Sequence, residues 1–416
     1  MKKVLLEAPI LTNSGYGEHA RLVFESLMAS EEQLEVYVSP LPWGTCTEQE
    51  PSPDVKRCIQ NLTNLVNYCQ QNKVNPTFDL HIHVGIPNEF QKKAIKSVCV
   101  TAGIETDRVS PEWVSKTNEE IDKIIVPSEH SRSVFVNTKY EVINNKSKKT
   151  DQVIKCGCPV EVVPYPVKTP AGPPLDIDFE TDFNFLSIAM AGTRKNIQFS
   201  IECFVDQFRE NPNVGLVLKT SLSRSSVMDR IETRKQLTGF VKGLGPKKCK
   251  VYIIHGNLEE SEIHSLYVHP KIKAYYTTTH GEGYGLPIFE SAYNGLPVVA
   301  TDWSGHLDFL HGEKKGKMKK LFAAIQYDLK QIQPEAAWKD IITEDSRWAY
   351  PKPASTKRQL ESVYKNYGMY KGWAKALKKH IEENFSKDTI IKKMLESLLD
   401  TTISSDIDEN EEVMVL

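Results

Sequence analysis

Short apolar runs alternate with amphipathic stretches twice along this chain, and a proline-rich segment separates the two series. In the first series KVLLEAP, LEVYVSP, FDLHIHV, KSVCVTA and KIIVPS read as strands. HARLVFESLMAS and SEHSRSVFVNT read as helices, the second with Ser128 as its N-cap. In the second series NFLSIAMA, VGLVLKT, CKVYIIHG, KAYYTTT and LPVVATD read as strands, and NIQFSIECFVDQFREN as a helix. Strands this short cannot bury both faces alone. Alternation with helices fits parallel sheets with crossover helices on either face. The expected fold class is α/β, with two doubly wound Rossmann-like domains facing across a cleft.

The boundaries follow the composition. Residues 1–165 form the first domain and 166–180 a proline-rich linker, expected to be exposed. Residues 181–380 form the second domain. A C-terminal helix over 381–400 is expected to cross back to the first domain, and 401–416 is an acidic, flexible tail. Ligands in such folds sit at the carboxyl ends of the strands.

Charge and composition narrow the function classes. Lys and Arg number 52 against 54 Asp and Glu, which argues against a surface that holds nucleic acid by overall charge. Three lysine clusters, at 144–155, 245–250 and 312–320, read as solvated loops. No apolar run approaches the roughly 20 residues of a membrane span, so no stable membrane insertion is expected. The N-terminal run reads as a first buried strand, because no small-residue cleavage site follows it. Eight cysteines are scattered, and only Cys156 and Cys158 are close. C-x-C alone makes no zinc site. The thiols read as free, in a reducing cytoplasmic setting.

The chemistry concentrates in HGEGYGLPIFES, residues 280–291. Glu282 and Glu290 flank Gly283, Gly285 and Pro287 between a strand and a helix. Glycines let backbone approach a ligand closely. The amides of a helix N-terminus favour an anion such as phosphate. A carboxylate on the first helical turn can accept hydrogen bonds from a diol. The segment therefore suits a molecule that carries both phosphate and sugar hydroxyls.

GEGYGLPIFESAYNGLPVVATDWSG closely resembles the donor-site signature of retaining GT-B glycosyltransferases, in particular glycosyltransferase family 4. The resemblance runs through Glu282, Gly283, Gly285, Leu286, Pro287, Glu290, Gly295 and Pro297, and Tyr284 within it is a donor-binding candidate. It implies that Glu290 holds the ribose of a nucleotide sugar and that Glu282 contacts the donor sugar. GTRKNIQFSIECF is similar to the family's cationic element, which makes Lys195 the matching lysine, with Arg194 beside it. The family's upstream arginine is missing, and Arg194 or Lys219 is left to supply the second cation for the departing diphosphate. YIIHGNLEESEIHSLY resembles the frame of the nucleotide base, with backbone around His255 and Asn257. TNSGYGEHARLVFESL resembles the first glycine loop, with Gly15 and Gly17 near the diphosphate and His19 packed in the following helix.

The acceptor side departs from the family. Many members carry a histidine near the end of the fourth strand, where this chain has Gly103. Glu105 is the nearest ionisable group, with Asp107 behind it. His81 and His83 alternate on one strand, so they share a face. They read as scaffold rather than a metal pair, with His83 on the acceptor side.

The resemblance implies a retaining transfer from a UDP- or GDP-sugar to an acceptor hydroxyl. No cofactor and no metal are implied, and the nucleotide sugar is a co-substrate. A soluble saccharide or surface-polymer precursor is the expected acceptor. A hydroxymethylated base in DNA, gripped by the lysines at 146–155 and 314–320, is the alternative. A nucleotide-sugar epimerase on the same fold is the second.

Overall fold

The computed structural model describes residues 1–44, 46–143, 150–223, 225–314 and 316–400. The 401–416 tail and the lysines at 146, 148, 149 and 315 lie outside the described residues.

The first sheet holds β1 (Lys2–Ala8), β2 (Leu34–Pro40), β3 (Leu80–Val84), β4 (Lys96–Val100) and β5 (Lys123–Val126). After the hairpin β6 (Lys139–Ile143) and β7 (Thr150–Lys155) it gains an edge strand, β8 (Val160–Val162). The second sheet holds β9 (Phe183–Ile188), β10 (Val214–Lys219), β11 (Lys250–Ile254), β12 (Ile272–Tyr276), β13 (Val298–Thr301) and β16 (Ala323–Ile325). Two further hairpins flank β16. They are β14–β15 (His311–Lys314, Lys317–Lys320) and β17–β18 (Tyr327–Gln331, Arg347–Pro351).

Helices α1 (Gly15–Met28), α2 (Pro53–Gln71), α3 (Pro111–Glu120) and α4 (Glu129–Asn137) belong to the first half. Helices α5 (Ile197–Phe208), α6 (Val227–Gly243), α7 (Glu260–Val268), α8 (Leu286–Tyr293), α9 (Leu307–Leu310) and α10 (Pro353–Lys365) follow in the second. The chain ends on α11 (Tyr367–Asn384) and α12 (Lys387–Leu399).

Both six-stranded sheets are parallel throughout. Their orders differ: β2-β1-β3-β4-β5-β8 against β11-β10-β9-β12-β13-β16. The second is the Rossmann order and the first the flavodoxin order. Chain direction switches between β1 and β3 in one sheet and between β9 and β12 in the other. A crevice opens at each such point, at the strands' carboxyl ends.

Helix α5 shows why these segments fold as they do. Ile197, Ile201, Phe204, Val205 and Phe208 recur with helical period, and all are buried. Phe204 and Phe208 pack on Phe185 of β9 at ring separations of 6.1 and 5.7 Å. Each such side chain contributes about 1.5–3 kcal/mol of burial.

Three sequence expectations need correcting. First, α1 begins at Gly15, four residues before His19, because Ser14 caps it and accepts the Gly17 N–H at 3.0 Å. Second, the lysine segments 150–155 and 317–320 are hairpin strands rather than loops, although they stay largely exposed. Third, the linker is not simply exposed. Phe179 is buried, its ring on Tyr252 and His269 at separations of 5.1 and 5.0 Å. Val167 donates its N–H to Phe385 O at 2.8 Å.

The stretch 381–400 is two pieces, the end of α11 and all of α12, with Ser386 capping the second. Helix α12 lies on the first domain. Lys387 pairs with Glu25 of α1 at 2.9 Å, and Lys123 of β5 donates to Ser397 O at 2.8 Å.

Candidate active site

The carboxyl ends of the two sheets meet. The turn after β4 lies directly on the loop after β12. Gly103 has φ +105, and a β-carbon there would come within 2.7 Å of Gly283 Cα. Only glycine satisfies both conditions. Ser128, capping α4, donates to Gly283 O at 2.6 Å, and the Glu129 N–H reaches Asp308 Oδ2 at 2.7 Å.

Beneath this contact lies a charged knot. Thr193–Lys195 forms one 3₁₀ turn after β9, and Asn196 then takes φ +53 to start α5. Asparagine tolerates that left-handed conformation better than most residues. The kink brings both cations to Glu282. Lys195 Nζ lies 2.5 Å from Oε1, and Arg194 Nη1 lies 2.9 Å from Oε2. Arg194 also donates to Gly281 O at 2.8 Å and faces Glu105 Oε1 at 3.4 Å. Burial alone would raise the Glu282 carboxyl, but Lys195 and Arg194 outweigh it and hold it at about 2. Burial, together with Arg194, pulls Lys195 below its ordinary value.

Glu282 is held from behind as well. Its N–H donates to Ser304 Oγ at 2.9 Å, and its carbonyl accepts from Gly305 N at 2.9 Å. The turn Asp302–Gly305 sat within the quoted motif, yet its sequence gave no sign of this clasp.

Eight residues on, Glu290 meets different surroundings. Gly285 takes φ +91 and opens α8, which carries Glu290 inward. Tyr267 of α7 donates to Glu290 Oε2 at 2.8 Å. Burial raises this carboxyl to about 7, against the Tyr267 hydrogen bond, with Glu18 adding to the rise. Lys168 of the linker, which lowers it, pairs with Glu260 at 2.9 Å and with Glu18.

The remaining sequence candidates are placed as follows. Tyr284 is buried, its ring on Phe289 and Phe309 and its hydroxyl without a hydrogen-bond partner among the described residues. Leu286 is the first residue of α8. Lys219 ends β10, where burial lowers its pKa, and no ion pair reaches it among the described residues. His255 is engaged through Nε2 with Asp229 Oδ2 at 3.0 Å. Asn257 Oδ1 lies 3.4 Å from Thr47 Oγ1 of the first domain.

Gly15 has open space at its β-carbon position, whereas one at Gly17 would strike Thr12 O at 2.0 Å. The Gly17 amide is already the capping donor. His19 is fully buried with neither ring nitrogen hydrogen-bonded, and burial lowers it to about 3. His83 is buried against Phe90 at a 5.7 Å ring separation, and His81 Nε2 donates to Glu7 Oε2 at 2.9 Å. Asp107 is a clamp: it takes the Arg347 N–H at 2.7 Å and its guanidinium at 2.8 Å.

That clamp belongs to a part the sequence reading missed. The β17–β18 hairpin of the second domain reaches over to the first. Ser110 Oγ donates to Asp340 O at 2.7 Å, and Asp107 N to Arg347 O at 3.0 Å. Its root supports the site, because His280 stacks on Trp348 at 5.0 Å and accepts the Ala349 N–H through its carbonyl at 3.0 Å. Among the described residues no helix is long and apolar enough to cross a membrane.

No family model and no curated protein matches the chain by sequence. Solved structures do match it by shape. Sucrose-phosphate synthase from Thermosynechococcus elongatus is 11% identical, with a TM-score of 0.58 over 95% of this chain and 97% of that one. Anabaena Alr3699/HepE, solved with UDP and glucose, is 13% identical, with a TM-score of 0.55 over 96% and 100%. Staphylococcus aureus TarM, solved with UDP, is 18% identical at a TM-score of 0.48; the match takes 81% of this chain but spans only 59% of TarM. At these identities the likeness speaks to architecture alone. Two parallel sheets meeting at their carboxyl ends, in the company of the first two neighbours, are the GT-B fold.

Proposed function

We propose that this chain is a retaining glycosyltransferase that moves a sugar from a nucleotide diphosphate sugar to a saccharide hydroxyl. The observation that carries the reading is the knot of Arg194, Lys195 and Glu282 at the switch point of the second sheet. Two cations held by one carboxylate are preorganised for charge that develops on a leaving diphosphate. An aimed donor of this kind is worth roughly 3 kcal/mol of transition-state stabilisation.

In this reading Glu290 accepts hydrogen bonds from the ribose diol, and the first turn of α8 faces the phosphates. Glu282 orients the cations and the donor sugar. The leaving phosphate oxygen takes the acceptor proton on the same face of the sugar, so the anomeric configuration is kept. No side chain is needed as base. HepE with its UDP and glucose supports the donor class and sucrose-phosphate synthase the saccharide acceptor, each by its own name and at fold level.

The test is incubation of the chain with UDP- and GDP-sugars, followed by NMR of the released or transferred sugar. Slow donor hydrolysis, accelerated by a saccharide acceptor and giving a product of unchanged anomeric configuration, is expected. Inverted product ends the retaining reading. Epimerised donor without transfer replaces it with the epimerase, and salt-sensitive duplex binding with base modification replaces the saccharide acceptor with DNA.

A further inference from the structure

Away from the cleft, the chain passes from the β6–β7 hairpin into the edge strand β8 through Cys156-Gly157-Cys158-Pro159. All eight cysteines are free, and five of them are buried. Cys156 and Cys158 are only partly buried, and their sulfurs stand 3.7 Å apart. Residues two apart cannot separate by more than about 7 Å at Cα, so the backbone stays within the upper reach of a disulfide.

The turn is held in place by one side chain. Asn118, in the last turn of α3, accepts the Gly157 N–H at 2.7 Å and donates to Lys155 O at 2.9 Å. A β-carbon at 157 would come within 3.2 Å of Asn118 Oδ1, so the clamp favours glycine between the two thiols. The Cys156 thiol also points along the turn, donating to Cys158 O at 3.7 Å.

We propose that Cys156 and Cys158 form a dithiol redox site, oxidised by hydrogen peroxide to an intramolecular disulfide and restored by thiols. Cys156 is the attacking sulfur. The Cys158 thiol hydrogen-bonds to it and draws it down to about 7, whereas burial pushes Cys58, Cys203 and Cys249 up. In the first step the Cys156 thiolate attacks a peroxide oxygen. The O–O bond breaks, a sulfenic acid forms, and the departing hydroxide leaves as water. In the second step the Cys158 sulfur attacks that sulfenic sulfur, forming the S–S bond and releasing a second water. Two thiols and one peroxide thus give one disulfide and two waters, with two electrons passing from sulfur to oxygen.

Trypsin releases both cysteines in one peptide, 156–168. The full chain is exposed to peroxide, alkylated with iodoacetamide, digested and weighed. The expected peptide carries no alkyl label, is lighter by two hydrogens than its reduced form, and regains both labels after dithiothreitol. Cys46, the other partly buried thiol, is expected to stay alkylated. In Cys158→Ser, dimedone should trap Cys156 sulfenic acid about tenfold more than in the parent chain, because the resolving thiol is gone. Two retained labels, an oxygen gain without loss of two hydrogens, a Cys156 link to another cysteine, or equal trapping in the variant would each overturn the proposal. Every readout is on sulfur, so none depends on the sugar-transfer reading.

Discussion

Glu282 and Glu290 stand on one loop and helix, the first buried and the second half-buried, and their carboxyls move in opposite directions. Burial pushes on each. At Glu282 two cations lie within 3 Å and reverse the push. At Glu290 one neutral hydroxyl and the charge of Lys168 answer it only in part, and Glu18 and Glu260 add to it. The deeper carboxyl is the one held low, so the difference lies in the partners and not in the depth. One end of the loop is a finished ion cluster, and the other is an acceptor kept short of donors. In the proposed reaction the first end meets the diphosphate and the second waits for a diol.

The largest effect should come from Glu282→Ala. It leaves the half-buried Arg194 and Lys195 side by side with only Glu105, 3.4 Å from Arg194, as a counter-charge, which should cost about 3 kcal/mol of stability in urea unfolding. A loss under about 1 kcal/mol would mean that the knot is solvated and that the comparison is false. Next comes Lys195→Ala, which keeps Arg194 on Glu282. Donor turnover should fall about 10²–10³-fold while donor affinity changes much less. Equal losses in both would move Lys195 from leaving-group stabilisation to plain binding.

Glu290→Gln sharpens the comparison through pH. A carboxyl raised to about 7 keeps its proton in the folded chain while the unfolded chain has released it near 4.5. Its contribution to stability is therefore most favourable below 4.5 and declines as pH rises to 7. The glutamine variant should melt higher than the parent at pH 8, and the gain should vanish by pH 4. Glu282 runs the other way. Its contribution is complete above 4.5 and is lost as pH falls toward 2. Nucleotide affinity of the parent should climb through pH 7, and in the variant it should be about tenfold weaker and flat. Tyr267→Phe should give the smallest change. It removes the one donor at Glu290, so the affinity midpoint should move upward in pH, with a stability change of about 0.5–1.5 kcal/mol.

The legible part of this site was the part written in consecutive residues. Gly283, Gly285 and the acids around them can be read from one strand–loop–helix unit, as can Lys195 before a left-handed Asn196. The alternating apolar runs marked both sheets, because strand burial is a local pattern. What stayed hidden came from distant chain. The Asp107–Arg347 clamp joins residues 240 positions apart, and neither neighbourhood is unusual in composition. The rise at Glu290 was equally hidden, since it comes from burial and then from Glu18 of another domain, against the pull of Tyr267 and of Lys168 in the linker. His255 illustrates the reverse case. A strand-end histidine placed by the motif spends its ring on Asp229, and nothing near position 255 announces that partner.

Gly103 and Gly283 touch backbone to backbone, with no side chain as padding between two large bodies. Such a seam is incompressible. A methyl group added on either side acts as a wedge, and the load falls on the whole second domain rather than on one rotamer. Neither position can gain a side chain without parting the seam, and a chain that placed a histidine at 103 would need its domains seated farther apart.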